Sequence, residues 1–208
     1  MLCKLLVPGL ALMLVSLFGG CHQQDEPLAA AQIERQIVLG NMDSPVEVYV
    51  FTDWKCPACQ ALEPALEEMI PKILQKAQLI FVDVPIHQNS KSYTAINLSF
   101  LIHNKSEYVV LRHDLMGLAK KPEEPTAKAF ELLAKSHDVQ LLPLDKIDAY
   151  AGTVYFRQLI LHFGIDRTPT IVVANKLNKQ SKKFVGINEM DPNNILKAID
   201  SLFKIDPR

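Results

Sequence analysis

The stretch FTDWKCPACQALEP, residues 51–64, constrains this chain more than any other. Cys56 and Cys59 stand three apart, with Pro57 and Ala58 between them. A β-branched and aromatic run, VEVYVF at 46–51, precedes them, and helix-type sequence follows. Pro57 falls in the first turn of that helix, where its missing N–H costs nothing. Such a pair can be a metal knuckle, a structural disulfide or a redox centre. Its placement favours the last. Cys56 is expected at the helix N-terminus, where free backbone N–H groups and the helix dipole favour a thiolate. Cys59 is expected one turn further on and shielded. In that arrangement Cys56 exchanges with a partner, and Cys59 resolves the mixed disulfide.

Counting cysteines weakens the other two readings. The 208 residues hold four: Cys3, Cys21, Cys56 and Cys59. The N-terminus, MLCKLLVPGLALMLVSLFGGC, has one early positive charge, Lys4, then an apolar stretch from Leu5 to Phe18, two glycines and Cys21. It is too short for a stable spanning helix and ends in small residues, as a secretory signal does. The ending resembles a bacterial lipobox, although Phe18 stands where that pattern has Leu, Val or Ile. Cys21 would then carry lipid and anchor the chain to a membrane surface without spanning it. An ordinary secretory signal is the alternative. Cys3 leaves with the signal; if Cys21 is lipidated, one thiol pair remains. Exported proteins live where disulfides persist, and a disulfide closing so small a loop adds little stability. A zinc site wants four ligands, usually with a second close pair, and the six histidines are scattered singly. No metal and no cofactor is expected. A net charge of −1 leaves no footprint for a nucleic-acid partner.

The length suggests one domain with an insertion, and with 49% of residues hydrophobic a substantial core can form. Residues 1–21 read as the signal, 22–36 as a polar tether, and IVLG at 37–40 as a short edge strand. Strand 46–51 leads into the cysteine helix, which Pro64 should kink and Pro71 should break. AQLIFVDVPI, 77–86, is the next strand, closing a first half at 37–88. From 89 to 162 the apolar spacing is helical, in SYTAINLSFLIHNK, TAKAFELLAKSHDV and LDKIDAYAGTVYFRQLILHFG, with Gly164 as a C-cap. In the last part, 163–208, TPTIVVAN (168–175) and KKFVGI (182–187) form a hairpin. DPNNILKAIDSLFK (191–204) forms a helix capped by Asp191, with Pro192 first. The order β-β-α-β, helices, β-β-α predicts an α/β fold: one mixed sheet, helices on both faces, and the helical block as an inserted subdomain.

IVLGNMDSPVEVYVFTDWKCPACQALEPAL resembles the opening of the DsbA/BdbD-type group of thioredoxin-fold thiol oxidoreductases, where a V-L-G…P-V-x-V-x-x-F-x-D-[YFW]-x-C-P-x-C pattern precedes the same long helix. GIDRTPTIVVAN, 164–175, resembles that family's T-P-T strand, and HDLM, 113–116, a piece of its helical insertion. The resemblance covers nearly all of 37–204 and implies a thioredoxin fold. It implies a cis Pro169 against the cysteine pair and a substrate-binding set of Thr168, Pro169 and Trp54, with Thr168 offering backbone polar groups to a substrate. One departure stands out. The family commonly carries a Glu six residues before the first cysteine, and here that residue is Val50. Glu47 and Asp53 are near in sequence, but strand alternation puts neither clearly underneath, and both are expected to be solvated. Pro57-Ala58 supplies no side-chain donor, so the resemblance implies a milder oxidant than the family's best-known member.

The expected function is an exported thiol–disulfide oxidoreductase that introduces disulfides into thiol-containing exported proteins. The resemblance adds a DsbB-like, quinone-linked membrane protein as reoxidant. The expected location is the periplasm or outer envelope face, on a lipid anchor. The expected state is a monomer, since some 15 residues between Cys21 and the first strand leave no room for a dimerisation domain. A monomeric reductase or isomerase is the alternative. A metallochaperone or holdase fits less well, because copper-binding relatives space their cysteines more widely and add a downstream His.

Overall fold

The pattern of strand 46–52 dictates the centre of the molecule. All seven residues of β2 (Val46–Thr52) are buried, as befits a strand covered on both faces. The structure, a computed structural model, describes residues 32–204. The segment read as a secretory signal, and Cys21 with it, lies outside the described residues. β2 pairs in parallel with β3 (Gln78–Asp83) and antiparallel with β4 (Thr170–Asn175). The short β1 (Leu39–Gly40) edges β3, β5 (Ser181–Val185) edges β4, and the sheet order is β1-β3-β2-β4-β5. Gly40 has φ +84°, and a Cβ there would come within 2.6 Å of the Ala77 carbonyl oxygen, so the edge strand needs glycine.

Alternation assigns the two faces. Tyr49 and Phe51 pack on Phe163, at the end of α6 (Lys146–His162). Val48, Val50 and Thr52 therefore point to the other face. In register with Val50 is Phe81, and with Thr52 is Asp83. That second face carries the cysteine helix α2 (Pro57–Lys76), which packs against the final helix α7 (Pro192–Phe203). Asp191 caps α7 by accepting from the N–H groups of Asn193 and Asn194, and Pro192 opens it, as its sequence predicts. Gly164, at φ +56°, follows the C-terminus of α6 in the left-handed conformation expected of it.

Between β3 and β4 the chain is helical: α3 (Ser90–His103), α4 (Tyr108–Ala119), α5 (Ala127–Ser136) and α6. No described helix is long and apolar enough to cross a membrane.

Two expectations need correcting, and a third needs refining. Residues 32–37 are helical (α1), and Ile33 and Ile37 are buried, so the tether does not run to residue 36. Two isoleucines four apart find the core and order the segment. Next, α2 runs unbroken through Pro64 and Pro71. Both prolines lie on the exposed stripe with Ala61, Glu68 and Lys72. The carbonyls they leave without a helical donor, those of Gln60 and Glu67, can turn to water there. The opposite stripe, Cys59, Leu62, Leu66, Met69, Ile70 and Ile73, is buried and holds the helix together. Finally, the helical block of 89–162 contains α4, a helix that the three quoted stretches do not delimit. Its buried residues, Tyr108, Leu111, Arg112, Leu115, Met116 and Ala119, are helically spaced, but a charged residue occupies one of the core positions.

Candidate redox site

Cys56 is the N-cap of α2, with extended backbone (φ −73°, ψ 118°) and no side-chain capping bond. Its carbonyl accepts the first helical hydrogen bond, from the Gln60 N–H at 3.0 Å. Its thiol instead lies 3.7 Å from the carbonyl oxygen of Thr168, as donor to that oxygen. The Thr168–Pro169 peptide bond is cis. Two segments 112 residues apart in sequence thus meet at one sulfur. Cys56 is 6% exposed and Cys59 is fully buried; both are free thiols. Pro57 is exposed at the rim, while Ala58 and Thr168 are half-buried.

Burial pushes the Cys59 thiol up to about 12, only partly opposed by the Asp53 N–H that donates to its sulfur at 3.4 Å. Such burial disfavours the thiolate and screens the sulfur from bulk solvent. The geometry thereby separates the two cysteines into one facing outward and one facing inward.

Asp53 is not solvated; it is fully buried. Its carboxylate accepts from the N–H groups of Lys55 (2.9 Å), Ile86 (2.6 Å) and His87 (2.8 Å) and from the Ser90 hydroxyl. The His87 Nδ1 lies 3.1 Å away. Burial opposes its charge, but these hydrogen bonds, Ser90 first, outweigh it and hold the carboxyl below the usual range. The side chain ties the cysteine loop to the loop that opens the helical block. Lys55 and Gln60 tie the same loop to the end of α4, both donating to the Ala119 carbonyl, at 3.1 and 3.2 Å. Glu47 is also buried, accepting from the Tyr49 hydroxyl at 2.8 Å, on the face away from α2. Strand alternation placed both carboxylates poorly because loop and neighbouring side chains, not water, meet them.

Trp54 does not meet the surface. At 1% exposure it stacks on Tyr93, ring centroids 5.9 Å apart, and the Arg112 guanidinium lies 4.9 Å from its ring. A large ring between a strand end and a helix start is worth more as core than as a substrate contact.

Beneath the pair lies a charge cluster that sequence reasoning missed. Glu63, one turn beyond Cys59 on the same buried stripe, accepts from Arg112 Nη2 at 3.0 Å. Arg112 is 1% exposed and also covers the Phe81 ring at 4.3 Å. Asp83, in register with Thr52 on the face that Val50 occupies, accepts from Asn97 at 3.1 Å. Burial raises its carboxyl to about 6, against the pull of Trp54 and Arg112. Val50 is therefore not the end of the matter: two carboxyl groups are buried close by, one from α2 and one from β3. The only sequence sign was charged residues at helix-core spacing, Glu63 and Arg112. Among the described residues, no group of three or more His, Cys, Asp or Glu is placed to hold a metal ion.

A family model described as thioredoxin matches residues 32–191. No curated protein matches the sequence. Among solved structures, the chain is similar to a periplasmic thioredoxin-like protein from Salmonella enterica serovar Typhimurium. The TM-score is 0.63 at 17% identity, covering 84% of this chain and 97% of that one. It is similar to the thiol-disulfide exchange protein alpha-DsbA2 from Wolbachia pipientis, with TM-score 0.59, 21% identity and coverage of 86% and 97%. It is similar also to BdbD from Bacillus subtilis in its oxidised form, with TM-score 0.59, 23% identity and coverage of 83% and 95%.

Proposed function

The chain belongs to the thioredoxin family, and on that premise we propose that it is an exported thiol–disulfide oxidoreductase that donates disulfides to proteins. The observation that carries this reading is the meeting of Cys56, at the N-cap of α2, with the Thr168 carbonyl before cis Pro169, while Cys59 is shut in behind. A substrate thiolate attacks Cys56 Sγ of the Cys56–Cys59 disulfide, and the bonding electron pair leaves on Cys59 Sγ. A second substrate thiolate then attacks the substrate sulfur of the mixed disulfide. The products are an oxidised substrate and the dithiol protein. Thr168 and Pro169 form the wall against which an extended substrate strand lies, with Pro57 and Ala58 opposite. A quinone-linked membrane protein of the DsbB type returns the dithiol to the disulfide. The N-terminal segment acts as the export signal, and lipid on Cys21 holds the domain at a membrane, the helical block of 89–162 shaping the approach to the cysteines. The Salmonella structure is described as periplasmic, which agrees with export.

The direction of electron flow is tested by the reduction potential of the pair. The domain is equilibrated with glutathione buffers, and its oxidised fraction is read from Trp54, the sole tryptophan. A value of about −120 to −180 mV supports disulfide donation, whereas a value near −270 mV overturns it in favour of a reductase. In the same assay Cys56→Ser abolishes exchange. Cys59→Ser accumulates a mixed disulfide on Cys56, visible as a mass adduct removed by dithiothreitol.

A further inference from the structure

Arg112 is a costly residue to bury. Its guanidinium is paired with only one carboxylate oxygen, and Nε and Nη1 find no hydrogen-bond partner among the described residues. A buried ion pair holds a fold together only when its remaining donors are satisfied. The usual structural reason for an internal Arg–Glu pair is therefore weak here. The position is informative. Trp54, under the guanidinium, stands two residues before Cys56. Glu63, which Arg112 grips, stands one turn, about 6 Å along the axis, beyond Cys59 on the same buried stripe. The guanidinium spans the segment in which Cys59 lies. No water-exposed group intervenes, since Trp54, Cys59, Glu63, Phe81 and Arg112 are all 2% exposed or less.

The exchange chemistry puts a negative charge in that place. When a thiolate attacks Cys56 Sγ, the Cys56–Cys59 bond breaks, a new sulfur–sulfur bond forms to Cys56, and the electron pair departs on Cys59 Sγ. That sulfur later takes a proton from water. Cys59 is fully buried, which penalises the charge, and its rate of departure depends on how stable its thiolate is. We propose that Arg112 stabilises the charge that develops on Cys59 as it leaves, and that Glu63 tempers this effect by partly neutralising the guanidinium. The other charged or ionisable groups facing this pocket are Asp83 from β3 and Tyr108 from α4. The proposal rests on the thiol–disulfide exchange reading above, and it assigns a task to a residue remote from the substrate.

The two partners carry opposite charges, and this gives a test that a structural role cannot imitate. Disulfide-form protein is mixed with reduced glutathione at pH 7, and consumption of the disulfide is followed by acid quench and thiol alkylation. The wild type, Arg112→Met, Arg112→Lys and Glu63→Gln are compared, each checked for folding by circular dichroism. Removing an opposite charge near a buried thiol shifts it by about 1–3 units. Taking for the leaving sulfur the sensitivity known for the attacking one, about 0.4–0.5, Arg112→Met is expected to slow attack about 2.5- to 30-fold. Arg112→Lys retains most of the rate, and Glu63→Gln exceeds the wild type. In a Cys56→Ala background, the thiolate absorbance of Cys59 shifts to higher pH with Arg112→Met and to lower pH with Glu63→Gln. Changes of the same sign in Arg112→Met and Glu63→Gln, or no change in either, overturn the proposal. If Arg112→Met does not fold, Glu63→Gln decides alone: a rate equal to or below the wild type overturns it. A wild type that does not react with glutathione at all defeats the exchange reading itself, a result distinct from wild-type exchange that is indifferent to Arg112.

Discussion

At the scale of single residues, the placement of the cysteine pair was legible and that of its supports was not. The C-P-A-C spacing and the strand before it sufficed to place Cys56 at a helix N-terminus, whereas T-P-T by itself reads as a strand that starts at proline, and only the family resemblance implied the cis Pro169 beside the cysteines. Asp53 escaped because its partners, Ile86, His87 and Ser90, come from a loop more than 30 residues away, and two of those contacts are to backbone N–H groups that carry no sequence signature. Its removal has a definite cost. Asp53→Ala strips several buried donors of their acceptor, and hydrogen bonds to a charged group are worth roughly 1.5–3 kcal/mol each. A loss of about 3 kcal/mol in urea denaturation is expected. The carboxyl is held below its ordinary 3.8 in the native state. Its contribution is thus present above the unfolded value and lost as the pH falls through the lower folded one. The deficit of Asp53→Ala should therefore shrink in acid; a deficit constant from pH 7 down to pH 2 would refute the charged-staple account.

At the scale of elements, sequence period and helix-breaking residues gave conflicting signs, and burial decided between them. Pro64 and Pro71 read as a kink and a stop, yet α2 continues because its apolar stripe is complete and both prolines face outward. The conflict has a measurable residue. An interior proline costs a helix about 3 kcal/mol relative to alanine, while its stiffening of the unfolded chain returns up to about 1. Pro64→Ala should stabilise the protein by about 2 kcal/mol, seen as a rise in Tm of roughly 4–8 °C for a domain of this size. A Tm that falls would mean that the proline shapes the helix for packing. Within the block expected to be helical, α4 was not delimited as a separate helix, and Arg112 at one of its core positions interrupts a pattern that an apolar residue would complete. The C-terminal helix, by contrast, was readable to its cap, because Asp191 and Pro192 act locally.

At the scale of the whole molecule, the order of strands and helices was enough to predict one mixed sheet with an inserted helical block, since neither half could bury its apolar faces alone. What that order could not predict is that the junction of block and sheet encloses charge. Asp83 at the end of β3 meets Asn97 of α3 and lies near Arg112 of α4, with Trp54 adjoining and Glu63 and Tyr108 in the same pocket. This burial leaves a mark on global stability. The carboxyl titrates near 6 in the native state and near 3.8 when unfolded. Between those values the native state holds the extra proton, so stability contributed by this group falls as the pH rises from about 4 through 6. The full swing is on the order of 3 kcal/mol, two pKa units at 1.36 kcal/mol each. Asp83→Asn keeps the shape and removes the titration. Its stability relative to the wild type should therefore climb across that window and level off above it, as read from urea midpoints at half-unit pH steps. A difference between the two proteins that does not vary with pH would mean that Arg112 holds Asp83 ionised throughout. The junction would then carry a net negative charge beneath the cysteines.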